Sequence, residues 1–268
     1  MSLPAAGIGA VLTICIAASA AAGEPAPVLS SDWTVTLGVE SRVLPVYEGS
    51  SNSMFYPFPL FDVRRAGTPS TFRSPRDGAS VGVIETDQFR FGPTLKLRLP
   101  RREDSDPALR GLGNVDWAVE AGGFAEYWLV KWLRTRLELR QGFSGHYGQV
   151  ADLSADAVVP VTPQLTLSGG PRMTISSSEA MSPYFSITPE QSMASGLPTF
   201  DAKGGLRSFG AGVQARYELS RNWATHSFIE YQRLAGDAAN SPLITQRGTR
   251  DQIEVGLGIS YSFDLHGM

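Results

Sequence analysis

The sequence predicts an all-β fold, an antiparallel transmembrane β-barrel of the outer-membrane type with ten to twelve strands. Three observations carry the prediction. Long segments alternate apolar and polar residues with a period of two, aromatic residues gather at the ends of those segments, and the chain opens on a short apolar leader. Composition agrees: 28 Gly and 18 Pro in 268 residues exceed average usage without a Gly-X-Y period, which favours turns and strands. A bundle of apolar membrane helices would be far more hydrophobic than the mean hydropathy of −0.08. With 23 Lys+Arg against 26 Asp+Glu the net charge is −3, which removes a nucleic-acid polycation from consideration.

From Ile8 to Ala22 the chain is apolar or small, and no charged side chain precedes Glu24. The run is shorter than the ~20 residues a spanning helix needs, and Ala18/Ala20 or Ala20/Ala22 supply the A-x-A spacing of a cleavage site. Residues 1–22 are therefore expected to be a signal peptide and residues 23–268 a single barrel domain, exported to the outer membrane of a Gram-negative cell. Cys15, the only cysteine, falls in the leader, so the mature chain is expected to hold no disulfide and no thiolate metal site. Val11, Leu12, Thr13 and Ile14 lack the small residue that lipoprotein cleavage needs directly before the cysteine.

The last segment is the most regular. Ile253, Val255, Leu257, Ile259, Tyr261 and Phe263 alternate with Glu254, Gly256, Gly258, Ser260 and Ser262. Such a run is long enough to cross a bilayer at a tilt, which takes about 9–11 residues, and exceeds the usual globular strand. The same grammar runs through Trp33, Val35, Leu37 and Val39 against Thr34, Thr36, Gly38 and Glu40, and through Phe89 to Leu99, where Arg90, Lys96 and Arg98 share one face. It returns in Leu133, Leu137 and Leu139 against Arg134, Arg136, Glu138 and Arg140, in Leu165 to Ile175 against Arg172, and in Phe209 to Leu219 against Arg216 and Glu218. A soluble sandwich alternates too. Segment length, the leader and the aromatic residues Trp33, Trp117, Trp128, Trp132, Tyr217, Trp223, Tyr261 and Phe263 at segment ends decide for a barrel with interfacial girdles.

Eleven patterned segments lie at about 33–41, 56–64, 71–84, 88–99, 114–129, 131–144, 151–161, 163–176, 205–219, 223–234 and 252–263. Both barrel termini in the periplasm require an even number. Either one of the first three segments is loop, giving ten, or the run Tyr184 to Thr188 is a twelfth strand; twelve is favoured. Tight connections fall at Lys131, Thr162-Pro163-Gln164 and Ser220-Arg221-Asn222, and long ones near 42–55, 100–113, 189–204 and 236–251, which should carry recognition.

The polar faces define the candidate lumen: Arg90, Lys96, Arg98, Glu120, Arg134, Arg136, Glu138, Arg140, Arg172, Arg216, Glu218 and Glu254. Asp116, Glu120 and Glu126 precede Arg134, Arg136 and Arg140 across a tight turn, so cross-strand ion pairs are expected. Paired charges would plug the barrel and leave function to its loops; hydrated ones would make a narrow polar pore. Chemistry is weakly signalled. Ser144 and His146 lie near Asp152, but the surrounding Gly142, Gly145 and Gly148 read as a bend with a solvated imidazole, and His226 and His266 as interfacial or surface groups. Neither a GxxxxGK[ST] loop nor ligand-spaced His and Cys occurs, so neither enzymatic activity nor a cofactor is expected.

Several segments together resemble the MipA/OmpV family of outer-membrane proteins. They are Leu109-Arg110-Gly111-Leu112-Gly113, Gly145-His146 with Gly148 and Asp152, Gly170-Pro171-Arg172, and a long stretch from Tyr184-Phe185 through Ile187-Thr188-Pro189, Gln191, Ala194-Ser195-Gly196-Leu197 and Phe200 to Gly204-Gly205. Tyr231, Arg233-Leu234, Gly236-Asp237-Ala238, Ser241-Pro242 and Tyr261-Ser262-Phe263 complete the match. One departure is that Asp264-Leu265-His266-Gly267-Met268 follow Phe263, where such barrels usually end on the aromatic residue. The resemblance implies a scaffold that contacts outer-membrane lipid and holds a murein lytic transglycosylase and a murein synthase. Tyr184, Phe185, Gln191, Ser195, Gly196 and Leu197 would form its interaction loop. Other members are associated with adhesion or with solute and antibiotic entry, which keeps a small-solute channel as the alternative.

Overall fold

The computed structural model describes residues 33–65 and 71–265. The leader with Cys15, and His266, lie outside the described residues. Twelve strands form one antiparallel sheet: β1 Trp33–Pro45, β2 Ser53–Arg65, β3 Ala79–Ser80, β4 Ile84–Glu85, β5 Phe89–Arg98, β6 Ala118–Val130, β7 Leu133–Phe143, β8 Gln149–Pro160, β9 Leu165–Ser176, β10 Gly205–Glu218, β11 Trp223–Leu234 and β12 Asp251–Leu265. Sequence neighbours from β5 to β12 pair in order, and β12 pairs back onto β1, from Trp33 with Leu265 to Val43 with Val255. β2 then lies beyond β1, while β3 and β4 lie along the other edge of β5. No ladder joins β2 to β3, β4 or β5 among the described residues. Ion pairs between strands far apart in this order, such as Lys96 on β5 with Asp152 on β8, show the sheet curled around a common interior.

The period-two pattern sorts the side chains as physics requires. Leu37, Val39, Leu95, Leu97, Leu139, Val213, Ile229, Val255 and Leu257 stand exposed on the outer wall, while Glu40, Glu120, Arg134, Arg140 and Glu230 turn inward and are buried. An apolar exterior around a polar interior suits a wall facing lipid. Most of the aromatic residues take wall positions at strand ends, Trp117, Trp132, Tyr217, Trp223 and Tyr261 among them. Trp128 is different. It points inward, donates through Nε1 to Glu126 Oε1 at 3.2 Å and meets Phe72 edge-on.

Two expectations for the strand count are corrected. Residues 71–84 do not span: only β3 and β4 pair within them, and Arg76 and Asp77 bond inside the lumen. A turn explains it, because Ser74 N–H donates to Asp77 Oδ2 and Asp77 N–H to Ser74 O, both at 3.0 Å. Residues 184–188 are not a strand. Tyr184 and Phe185 end helix α1, Ser178–Phe185, where Ala180, Met181, Tyr184 and Phe185 recur at helical spacing and bury one face. Ten strands of 10–15 residues therefore cross the wall, and two of two residues complete the twelve.

The two mouths differ. At the end shared by Trp33 and Leu265 the connections are tight, at residues 131–132, 161–164 and 219–222. At the other end residues 46–52, 99–117, 177–204 and 235–250 pack into a cap that adds helices α2 Pro189–Ser195, α3 Gly236–Asn240 and α4 Pro242–Arg247. Leu109, Leu112, Met181, Phe185, Leu243 and Ile244 form its apolar core. Thr188 and Gln191 close a capping box at the start of α2, and Gly196 ends that helix at φ 76°.

Candidate functional site

The lumen is crossed by a network of ion pairs. Glu126 on β6 faces Arg136 on β7, so strand register alone brings acid to base. Arg134, with 0% exposure, reaches Asp77 Oδ2 at 2.6 Å, Glu126 Oε2 at 2.8 Å and Asp156 Oδ2 at 3.1 Å. Arg136 bridges Glu126 at 3.2 Å and Glu138 at 2.7 Å. Arg140 contacts Glu120 at 2.9 Å, Asp152 at 2.5 Å and Glu138, and Arg172 closes on Asp156 at 2.5 Å. Arg76, carried in by the inward turn, joins Glu230 at 2.7 Å to Asp152 at 3.3 Å. In a site this dry each cation needs its carboxylates, since an unpaired buried charge costs several kcal/mol, about 3–5 when one partner is removed.

Of the sequence-predicted lumen charges, Lys96, Glu120, Arg134, Arg136, Glu138, Arg140 and Arg172 meet in this network. Arg90 sits at its edge, on Glu85 at 2.9 Å and Glu126 at 3.7 Å. Arg98 turns toward the cap and Glu48, and Glu254 pairs with Arg42 at 2.8 Å. Arg216 and Glu218 pair only with each other at 2.8 Å, half-exposed near the tight-turn mouth. Asp116 is exposed before β6. The signal missed Arg42, Arg76, Asp77, Asp156 and Glu230. Register could have found Asp156, which lies opposite Arg134 on β8.

Both described histidines are buried, contrary to a solvated placement. His146 Nε2 lies 3.0 Å from Glu120 Oε1 and its Nδ1 accepts from Gly148 N–H at 3.3 Å, so both ring nitrogens are taken and neither serves Ser144. Ser144 holds a turn at φ 64°. His226 Nε2 bonds Glu40 across the intervening β12, where both residues flank Gly258. Glycine makes the room: a Cβ at Gly258 would come within 2.2 Å of His226, and one at Gly142 within 2.3 Å of His146. Among the described residues no group of three His, Cys, Asp or Glu is placed to hold a metal.

The predicted interaction loop belongs to the cap. Tyr184, Phe185 and Leu197 are buried in it, Gln191 Nε2 donates to Leu112 O at 2.7 Å, Ser195 is half-buried and Gly196 exposed. Glu48 ties the cap to the barrel by pairing with Arg98 at 2.8 Å and with Arg207. Burial pushes the Glu48 carboxyl up, but Arg207 and Arg98 outweigh it and hold it below the usual range. Burial also lifts the Tyr47 hydroxyl, helped by Asp106, to about 12.

A family model described as MltA-interacting protein MipA matches residues 37–263. The chain belongs to the MipA family. It is an outer-membrane β-barrel protein, which accords with the apolar wall and polar lumen. No curated protein matches it. Among solved structures it is similar to the NanC porin, at 11% identity and a TM-score of 0.39, covering 85% of this chain and 98% of that one. It is also similar to an outer membrane channel from Pseudomonas putida F1, at 12% identity and a TM-score of 0.42, over 91% of this chain and 100% of that one. The CymD monoaromatic hydrocarbon channel follows at 12% identity and a TM-score of 0.40, over 89% and 90% of the two chains. Likenesses this distant stand beside the family assignment without adding to it.

Proposed function

We propose that the protein is a non-enzymatic scaffold that works through its surfaces, recruiting a murein lytic transglycosylase and a murein synthase to the outer membrane. One observation carries the reading: ion pairs around the fully buried Arg134 bridge the lumen, and an apolar-cored cap covers one mouth. A barrel so bridged and capped offers partners its rims and loops. The family's description, which names an interaction with MltA, supports the same reading. In outer-membrane barrels short turns face the periplasm and long loops the exterior. Murein enzymes would then meet the turns at 131–132, 161–164 and 219–222, and the cap with Tyr184 to Leu197 would face outward.

Two measurements test this. Planar-bilayer recordings of the refolded mature protein should be silent, and steady single-channel steps that change when Arg134, Arg136 and Arg140 become Ala would make a small-solute channel the better reading. Capture of a lytic transglycosylase should survive deletion of Gln191 to Gly204 in an inserted barrel. It should fall at least tenfold when Lys131-Trp132 and Arg221-Asn222 are replaced by Gly-Ser.

A further inference from the structure

The seam between β2 and β5 is built differently from every other strand boundary in the barrel. In the β1–β2 hairpin Val46 N–H donates to Asn52 O at 3.0 Å, so even-numbered residues of β2 bond to β1 and odd-numbered ones turn toward the seam. Pro57 and Pro59 occupy two of those odd positions and bring no N–H to that edge. On the facing strand Val81 N–H donates to Pro93 O at 3.2 Å and Val83 N–H to Phe91 O at 2.8 Å, which shows that odd-numbered residues of β5 also face the seam. Pro93 has no N–H to return. Above the pair Ala79–Leu95, no described residue pairs with Leu97 on that side.

Residues 79–85 already cover β5 at Pro93, so the uncovered stretch lies above Ala79, between Leu97 and the Pro57–Pro59 side of β2. Pro57 and Pro59 bring no N–H there, which weakens strand pairing across the gap. The gap is bordered by apolar side chains, which suits an acyl chain. The inner face behind it fits one. Elsewhere the inward positions are mostly charged or small, but β2 turns Met54, Tyr56, Phe58 and Leu60 inward. Met54, Phe58 and Leu97 line a cavity of about 320 Å³ that lies under the cap.

The far wall of that cavity carries both signs, with Glu48, Glu120 and Asp152 among its cations, and one of those cations has no carboxylate of its own. Arg101 lines it, buried, with its Nη atoms on the carbonyls of Tyr184 at 3.0 Å and Leu112 at 3.4 Å, its Nε without a partner, and no carboxylate paired with it. Burial pulls this guanidinium down to about 10, still protonated at neutral pH. Arg98 beside it is already held by Glu48 at 2.8 Å and, through Nη1, by Glu120 at 4.0 Å, so Arg101 is the cation that lacks an anion. A buried cation without its anion is costly, and a ligand carboxylate would relieve it.

We propose that the β2–β5 seam above Ala79 is a lateral entrance from the leaflet on the cap side, and that the cavity takes the head group of a long-chain carboxylate. The carboxylate lies toward Arg101 and the acyl chain runs out between Met54, Phe58 and Leu97. The lumen is then closed along its axis yet open sideways. This assignment stands apart from the scaffold role and survives its failure.

The test is saturable photolabelling of the mature protein in nanodiscs with a diazirine-bearing palmitate, mapped by mass spectrometry. Label should concentrate on peptides containing Met54–Phe58 and Leu97–Arg101, and excess palmitate should compete at least tenfold better than hexadecanol, its uncharged counterpart. Arg101→Gln should weaken competition by palmitate about tenfold. Met54→Glu, which sets a carboxylate in the entrance and leaves the cap untouched, should abolish seam labelling while the folded barrel keeps its heat-modifiable gel mobility. Label spread evenly along the wall strands β9 to β12, or equal competition by hexadecanol, would overturn the proposal. So would a second barrel copy cross-linked along the seam.

Discussion

In the lumen Arg134 has no exposed surface and is held by Asp77, Glu126 and Asp156; in the cap Phe185 is equally buried and packs in a cluster with Leu109, Met181 and Leu243. Both residues are fully buried, yet their surroundings are made of opposite residues. The barrel wall meets lipid and spends its apolar side chains outward, so its interior is left to charges that must neutralise one another. The cap meets water and folds like a small soluble protein. The difference predicts different failure modes: the lumen is a web in which each removal strands a partner, whereas the cap is a local core whose damage stays local.

The largest effect should come from the web. Arg134→Ala leaves three buried carboxylates short of a cation and should cost about 3–5 kcal/mol in urea unfolding from lipid vesicles; a loss below about 1 kcal/mol would mean the lumen is hydrated and the contrast false. Phe185→Ala should cost about 3 kcal/mol, a value within the usual range for a buried ring. Amide exchange should then accelerate in residues 177–204 and 235–250 while the β6–β9 ladders keep their protection; loosening of both would show the two interiors to be one cooperative unit. At the lumen wall a Cβ on Gly256 would meet the Phe228 ring at 2.1 Å, so Gly256→Ala should cost about 1–3 kcal/mol, with Phe228→Leu restoring most of it.

The smallest expected effect lies where the two interiors join. Glu48 is partly exposed, so Glu48→Gln should cost only about 1 kcal/mol. Its carboxyl is held below the ordinary value, so its contribution is complete above about pH 5 and is lost as the pH falls through the folded value. Cap protection should fall on acidification in the parent and not in the Gln variant. Identical acid profiles would remove Glu48 as the link.

Alternation read the wall well, because a lipid-facing strand must repeat every two residues whatever its neighbours are. It also set Asp116, Glu120 and Glu126 against Arg134, Arg136 and Arg140 across a tight turn; Glu120 and Glu126 do pair with those cations, whereas Asp116 stays exposed before β6. What escaped depended on distance. Arg76 and Asp77 enter the lumen on a turn whose partners lie 57 to 154 residues away in sequence, and nothing local marks them as inward. His146 read as solvated because Gly142, four residues away, looked like part of a bend rather than room for a buried ring, and His226 read as interfacial or surface because Gly258, which makes its room, lies on another strand. Tyr184-Phe185 read as strand when taken alone; only with Ala180 and Met181 does the helical spacing show. The seam prolines were in view, but their meaning needed the hydrogen-bond parity of β2 and β5.

The pairing of β1 with β12, tied by Thr34 Oγ1 to Asp264 at 2.5 Å and Thr36 to Ser262 at 2.7 Å, has a consequence for biogenesis. The zipper of β1 onto β12 joins segments more than two hundred residues apart, so β1 and β2 have no strand to join in the rest of the sheet until β12 is exported. A nascent chain must be kept from sticking to its siblings until the last hairpin arrives, and a protease nick before Asp251 would convert a membrane protein into two adhesive edges.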